Sequence, residues 1–238
     1  MSKLYLIRHA QASFLAEDYD NLSDHGHQQA IALGQYLRDR HIEFDKVYVG
    51  PLKRQQQTGE RIRAAYHEQG LPFPEMIKIE ELREYEGMDS MNLVRPQLME
   101  HYPVFRQLFE EMSQHPSHKT KMKLTVKYLD LWANDALAFD LPKGVQSFAE
   151  FRNIAELGLA KIIQGNKKGK TIAAISSGGC IAAILGKVLG IPHPGKTIGL
   201  NLVMLNTAIS EVLFSTDRIS LLNFNTLPHL QENMITTM

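Results

Sequence analysis

The chain carries one cysteine, Cys180, so an internal disulfide is excluded, and that usage fits a reducing compartment. It has no surplus of either charge. Lys+Arg and Asp+Glu both number 26 and the net charge is zero. Sequence-independent binding of nucleic acid needs a basic surface and finds no support. Long apolar runs are missing as well. Nothing reaches the roughly 18 residues of a membrane span, and the first residues lack the basic and apolar segments of a secretory signal. There is no internal repeat and no low-complexity segment. These absences lead to the expectation of a soluble, cytoplasmic protein with no membrane and no nucleic-acid partner. At 238 residues and 44% hydrophobic content, the chain is long enough for one domain with a sizeable core.

What is present is organised around Leu4-Tyr5-Leu6-Ile7-Arg8-His9-Ala10. Four apolar residues running into Arg-His read as a buried parallel strand. Such a strand delivers both polar side chains to the carboxyl edge of a sheet, where open α/β folds bind their ligands. Arginine offers a permanently charged fork that matches a phosphate, and histidine is a nucleophile or acid/base near neutral pH.

The remaining pattern alternates strand and helix. Ser23 or Asp24 caps a helix running to about Arg40, with Ala30, Leu33 and Leu37 on its apolar face. A short strand from Phe44 ends at Gly50-Pro51, and Pro51 suits the first turn of a helix reaching about Glu68. Met76–Glu80 reads as a third strand. Residues from about 92 to 140 break the alternation with helical spacing of Tyr102, Phe105, Leu108, Phe109 and Met112, and are read as a helical insertion. A helix over Phe148–Ile163, a strand over Thr171–Ile175 and a buried helix over Cys180–Leu189 follow. Leu202–Phe214 and Ile219–Phe224 read as two strands, a hairpin across Thr216-Asp217, and the tail after Pro228 as frayed. The expected architecture is α/β: a three-layer sandwich with a mainly parallel sheet, helices on both faces and a helical cap, one domain over residues 1–238.

Strands ending at Arg8-His9, Gly50-Pro51 and Ser176-Ser177 predict one convergent site. Here the residues resemble a known family. Arg8-His9-Ala10 is similar to the Arg-His-Gly signature of the histidine phosphatase superfamily, the phosphoglycerate mutase-like fold. The resemblance continues through Leu22-Ser23-x-x-Gly26-x-x-Gln29-Ala30, Pro51-Leu52-x-Arg54-x-x-x-Thr58, Leu82-x-Glu84-x-x-Gly87, Ser176-x-Gly178-Gly179 and Asn206-Thr207-Ala208-Ile209-Ser210-Glu211. Each motif is short; their order over roughly residues 3 to 215 carries the likeness.

The resemblance implies a phosphomonoesterase without metal or other cofactor, acting on a phosphorylated small molecule. His9 would form a phosphohistidine that water hydrolyses. Arg8 and Arg54 would hold the phosphate oxygens. Glu84 would be the general acid and then the base, although Glu80, Glu81, Glu84 and Glu86 crowd together and a solvated acidic face competes with that role. Three departures stand out. The family's Ser-His-Gly-Gly has Ser177 at its histidine. Ala12 and Leu15 replace the usual Thr and Asn. Pro142-Lys143-Gly144-Val145-Gln146-Ser147 lacks the acid of Pro-x-Gly-Glu-Ser. Ser177 still offers a neutral hydrogen bond, and the N–H groups of Gly178 and Gly179 at a helix start can bind an anion. A phosphate-ligand binding or regulatory protein with weakened catalysis is therefore the second reading, and a phosphoglycerate mutase a third. On the sequence, Ser177→His is expected to raise kcat.

Other features read as structural. Gly165 to Thr171 imitates a phosphate-binding loop but has three residues between its glycines and precedes a strand. His25-x-His27 lacks a nearby third ligand. Lys119, Lys121, Lys123 and Lys127 read as a solvated face, with steering of an anionic substrate as the alternative.

Overall fold

A computed structural model describes residues 1–13, 20–166, 168–193 and 195–237. Six strands form one sheet in the order β3-β2-β4-β1-β5-β6. β1 (Ser2–Arg8) lies inside it, parallel to β4 (Thr171–Ser176) and antiparallel to β5 (Ile209–Phe214). β2 (Lys46–Val49) runs parallel to β4 and to the short edge strand β3 (Met76–Lys78), while β6 (Ile219–Thr226) closes the other edge as a hairpin with β5.

Successive residues of a strand face opposite sides, and β1 fills both. Tyr5 and Ile7, with Val47, Val49, Ala173 and Ile175, pack on Leu33 and Leu37 of α1 (Asp24–Asp39) and Ile62 and Tyr66 of α2 (Lys53–His67). Leu4 and Leu6, with Tyr48, Ile172 and Ala174, face α7 (Phe148–Gln164) and α8 (Gly178–Val188). The three layers follow from that two-sided apolar run. Ser23 is the N-cap of α1, its side chain accepting from the Gly26 N–H at 3.0 Å.

Between β3 and α7 the chain forms α3 (Gly87–Leu93), α4 (Arg95–His101), α5 (Pro103–Gln114) and α6 (His118–Ala133). These helices begin at Gly87, five residues ahead of the expected insertion. Their buried faces, among them Met91, Leu98, Phe105, Leu108 and Trp132, join the same apolar cluster as Leu4 and Leu6. No helix among the described residues is long and apolar enough to cross a membrane.

Four sequence expectations need correction. Pro51 lies outside α2: Leu52 is its N-cap residue, and the Leu52 N–H donates to Gln55 Oε1 at 3.1 Å. The third strand stops at Lys78, and Glu80–Leu82 winds into a single 3₁₀ turn. Leu202 and Val203 are not in a strand. They end α9 (Lys196–Val203), whose Ile198 is buried, and the turn at Asn206-Thr207 then delays β5 to Ile209. The tail is not frayed either. Glu232–Met234 forms a 3₁₀ turn whose Met234 carbonyl accepts from Gln29 Nε2 at 2.7 Å and lies 3.1 Å from His25 Nε2. Thr236 donates to Asn206 Oδ1 at 2.9 Å.

Candidate active site

The sheet order sends β1, β2 and β4 to one edge, and each strand hands a functional residue to it. Arg8 pairs with Ser176 in register, and the His9 N–H extends the ladder to the Ser176 carbonyl at 2.8 Å. His9 and Ser177 therefore leave adjacent strands side by side. Three residues separate the end of β2 from the start of α2, whose first turn supplies Arg54.

The His9 ring is held at both nitrogens. Nδ1 lies 2.7 Å from the Ala10 carbonyl, and Nε2 lies 3.1 Å from Arg54 Nε. A guanidinium only donates. The network thus assigns the proton to Nδ1 and the lone pair to Nε2. Burial, then Arg54, then Arg8 hold the His9 pKa well below the ordinary histidine value. The imidazole is neutral at pH 7 and its free pair points at a guanidinium.

The backbone of His9 is clamped as firmly. Its carbonyl accepts from Asn206 Nδ2 at 3.2 Å and from the Thr207 N–H at 3.4 Å. Thr207 adopts φ +58°, a left-handed conformation that is costly for a β-branched residue and is found here beside His9. Thr58 Oγ1 accepts from the Ala10 N–H at 3.0 Å and donates to the Arg54 carbonyl at 2.7 Å, locking the first strand to α2.

Both arginines are buried. Arg8 Nη1 donates to the Met204 carbonyl. Arg54 Nη1 pairs with Asp20 Oδ1 at 2.7 Å, and Asp20 Oδ2 accepts the Lys53 N–H at 2.8 Å. The crowded glutamates separate cleanly. Glu80 pairs with Arg83 at 2.9 Å and Glu81 with Lys161, both on the outside, and Glu86 is exposed. Glu84 turns inward. Its Oε2 accepts the Gly179 N–H at 2.8 Å and its Oε1 the Tyr85 N–H at 3.1 Å. Burial raises its pKa above the usual carboxylate value, against the opposing pull of Gly179, Arg54, the Tyr85 N–H and Arg8. A carboxyl with a raised pKa thus sits within the field of the same two arginines that lower the His9 pKa.

The start of α8 is occupied differently from the sequence expectation. The Gly179 N–H, read as a donor to an external anion, is taken by Glu84. A Cβ at Gly179 would lie 2.3 Å from Glu84 Oε1 and from the Tyr85 ring, so only glycine lets that loop approach. Gly178 is packed between Asn201 and Arg8. Ser177 is fully buried, and its Oγ accepts from Gln55 Nε2 at 2.9 Å. Gln55 Nε2 also donates to the Leu82 carbonyl at 3.0 Å. Ser177 therefore joins α8, α2 and the segment carrying Glu84.

Gln55, Asp20, Thr58, Asn206 and Thr207 are parts of the site to which the sequence reading gave no role, although Thr58, Asn206 and Thr207 stood inside the quoted motifs. Ala12 bridges Leu22, and Leu15 lies outside the described residues. The Gln146 carbonyl accepts from Trp132 Nε1 at 2.9 Å. His27 Nδ1 accepts from Arg61 Nε at 3.0 Å. Among the described residues no cluster of three or more His, Cys, Asp or Glu could hold a metal ion.

The family model described as histidine phosphatase superfamily (branch 1) matches residues 4–124 and 109–227. The chain belongs to the histidine phosphatase superfamily. A 2,3-bisphosphoglycerate-dependent phosphoglycerate mutase of Bartonella tribocorum is 32% identical over 97 residues, which cover 37% of this chain and 46% of the mutase. The match thus spans about half the length of that relative. Two solved members share the fold at low identity. Phosphoserine phosphatase of Entamoeba histolytica, in complex with phosphoserine, has a TM-score of 0.64 at 20% identity, covering 97% of this chain and 100% of the other. Phosphoglycerate mutase of Bacillus anthracis has a TM-score of 0.63 at 17% identity, covering 96% and 94%. For this member of the superfamily, the α/β sandwich with a mostly parallel sheet is the fold shared with these structures.

Proposed function

We propose that this chain is a metal-independent phosphomonoesterase that works through phospho-His9 on a phosphorylated small molecule. The observation that carries the reading is the His9 ring: Nδ1 tied to the Ala10 carbonyl and the Nε2 lone pair presented at Arg54. Nε2 attacks phosphorus, the N–P bond forms, and the bond to the ester oxygen breaks. Arg54 and Arg8 take the phosphoryl oxygens, with Arg54 Nε exchanging the imidazole for the phosphate; fixed charges of this kind lower the barrier as negative charge spreads over the oxygens. Glu84, held above the usual carboxylate pKa, gives its proton to the departing oxygen. In the second half, Glu84 takes a proton from water, the water oxygen bonds to phosphorus, and the N–P bond breaks to return neutral His9 and inorganic phosphate.

The second reading, a phosphate-ligand binding or regulatory protein with weakened catalysis, is favoured by one observation. Ser177 has only one neutral O–H to offer where the family's motif carries a histidine, and the Gly179 N–H is taken by Glu84, so the charged donors left for a phosphoryl group are the two arginines. Incubation with labelled phenyl phosphate in EDTA, quenched in alkaline detergent, separates the two. The phosphatase reading expects a base-stable, acid-labile phosphoprotein, absent in His9→Ala, together with steady release of phosphate. Phosphate binding with no trapped species and no release supports the second reading, and loss of activity on chelation overturns the mechanism.

A further inference from the structure

The protein places a carboxylate of its own on Arg54. Asp20 Oδ1 pairs with Arg54 Nη1 at 2.7 Å, and Asp20 Oδ2 accepts the Lys53 N–H, at the first residue of α2, at 2.8 Å. Both carboxylate oxygens are therefore engaged at the start of that helix. The next two residues of the chain fix the arrangement. Asn21 Oδ1 accepts from Gln57 Nε2 at 3.0 Å, and the Leu22 N–H donates to Gln57 Oε1 at 2.8 Å. The Asn21 carbonyl accepts the Ser13 N–H at 2.8 Å, and Leu22 bridges Ala12. One amide of α2 and the chain just after His9 thus hold the Asp20 segment against the helix that carries Arg54.

Two observations give this contact a meaning. The first is exposure. The Asp20 side chain is 27% exposed and that of Arg54 10%. Asp20 is the outer member of the pair, so it covers the guanidinium on its solvent side. The second is that the same guanidinium reaches His9, with Nε 3.1 Å from His9 Nε2. A phosphate at His9 must therefore draw on an arginine that already serves an anion. Phosphate is held best when both arms of a guanidinium donate to it. A carboxylate and a phosphate on one guanidinium also repel each other at this range.

We propose that Asp20 is a built-in competitor for the phosphate site: phosphate takes Arg54 by displacing the Asp20 carboxylate from Nη1. Asp20 then weakens the binding of substrate and of inorganic phosphate alike, and it favours release of the product. The proposal rests on the reading that Arg54 holds the phosphoryl group. It adds a restraint on affinity that the protein carries within its own chain.

Calorimetry with inorganic phosphate on the full chain tests the competition without turnover. Asp20→Asn removes the charge and keeps an acceptor for the Lys53 N–H, so the start of α2 is preserved. Asp20→Ala removes both. Each variant is expected to bind phosphate about 3- to 10-fold more tightly than the parent, roughly the worth of one partly buried ion pair. Damage to the fold would lower affinity, so a gain identifies competition. Unchanged affinity in both variants overturns the proposal. Weaker binding in both also overturns it, and makes Asp20 a brace that positions Arg54. Hydrolysis of phenyl phosphate is followed separately, and KM should fall with the phosphate dissociation constant in Asp20→Asn. Tighter phosphate binding in the variants, with no turnover by the parent, leaves the competitor standing and removes the phosphatase reading. Turnover by the parent, with unchanged phosphate affinity in the variants, does the reverse.

Discussion

At the scale of single residues, the proposed reaction divides its chemistry between Glu84 and His9, whose surroundings push their pKa values in opposite directions. His9 is kept neutral by burial and two guanidiniums, while burial raises the Glu84 pKa despite them. A general acid matters most when the leaving group is poor. Glu84→Gln is therefore expected to slow phosphorylation of His9 by phenyl phosphate by about 10²- to 10⁴-fold and to spare that first step with para-nitrophenyl phosphate, whose phenolate leaves unaided, as read from the burst of para-nitrophenol in single-turnover kinetics. Equal losses in that first step would assign Glu84 to positioning. Ser177 changes its meaning once its partner is known. From the sequence, Ser177→His restores a pocket cation; in the structure the hydroxyl is fully buried and accepts from Gln55. An imidazole there overpacks the site by about 1–3 kcal/mol and crowds the Gln55 amide against the Leu82 carbonyl. Ser177→His alone is now expected to lower the melting temperature and give no gain in kcat, read by calorimetric scans beside steady-state rates.

At the scale of elements, the junction between α8 and the Glu84 segment is the tightest point of the site. Gly179→Ala brings a methyl group onto Glu84 Oε1 and the Tyr85 ring. It should cost about 1–3 kcal/mol in denaturant stability and lower kcat for phenyl phosphate, since the carboxyl must retreat. A fully active, fully stable variant would show that this approach is dispensable. The same scale shows what the sequence made legible. β1 and the apolar face of α1 declare themselves because their period matches the layer they pack in: Leu4 and Leu6 to one side, Tyr5 and Ile7 to the other. α9 hid behind Leu202-Val203-Met204, an apolar triplet that reads equally as strand or as the last turn of a helix. Gln55-Gln56-Gln57 resembles a solvated run, yet each amide is engaged: Gln55 with Ser177, Gln56 with the Pro51 carbonyl at 2.6 Å, and Gln57 with the Leu22 N–H at 2.8 Å. The tail looked frayed because its partners, Gln29 and Asn206, are distant or turn-bound residues whose amides leave no periodic trace. His9, Arg8, Arg54 and Glu84 were legible as types in an ordered series. The donors that hold them were not, since a buried amide and an exposed one look alike in a sequence.

At the scale of the whole molecule, buried His9 and half-buried His229 set how the fold meets acid. His229 Nε2 lies 2.9 Å from Thr207 Oγ1, whose proton goes to the Asn206 carbonyl at 2.7 Å. Nε2 must then be the donor, and buried Nδ1 has no partner among the described residues. Burial lowers the His229 pKa from 6.5 to about 4, and burial, Arg54 and Arg8 hold His9 well below its ordinary value. Both folded-state values lie below the unfolded one, so the unfolded chain binds protons first as pH falls. The stability these neutral rings permit is intact above pH 6.5 and is lost as pH drops through the folded values. Glu84 acts in the opposite sense, since its folded value is raised: its contribution is present below the unfolded carboxylate value and fades as pH rises. For His229 alone the loss by pH 4 is about 3 kcal/mol. Urea unfolding of the parent should therefore show a midpoint that falls steeply between pH 6.5 and pH 4. His229→Gln forfeits the bond to Thr207 at every pH, which lowers its stability at pH 7. It should nonetheless lose less than the parent does over that interval, by up to about 3 kcal/mol, because no imidazole remains to be protonated on unfolding. An equal loss in both proteins would place the acid sensitivity elsewhere, with His9 as the group to test next.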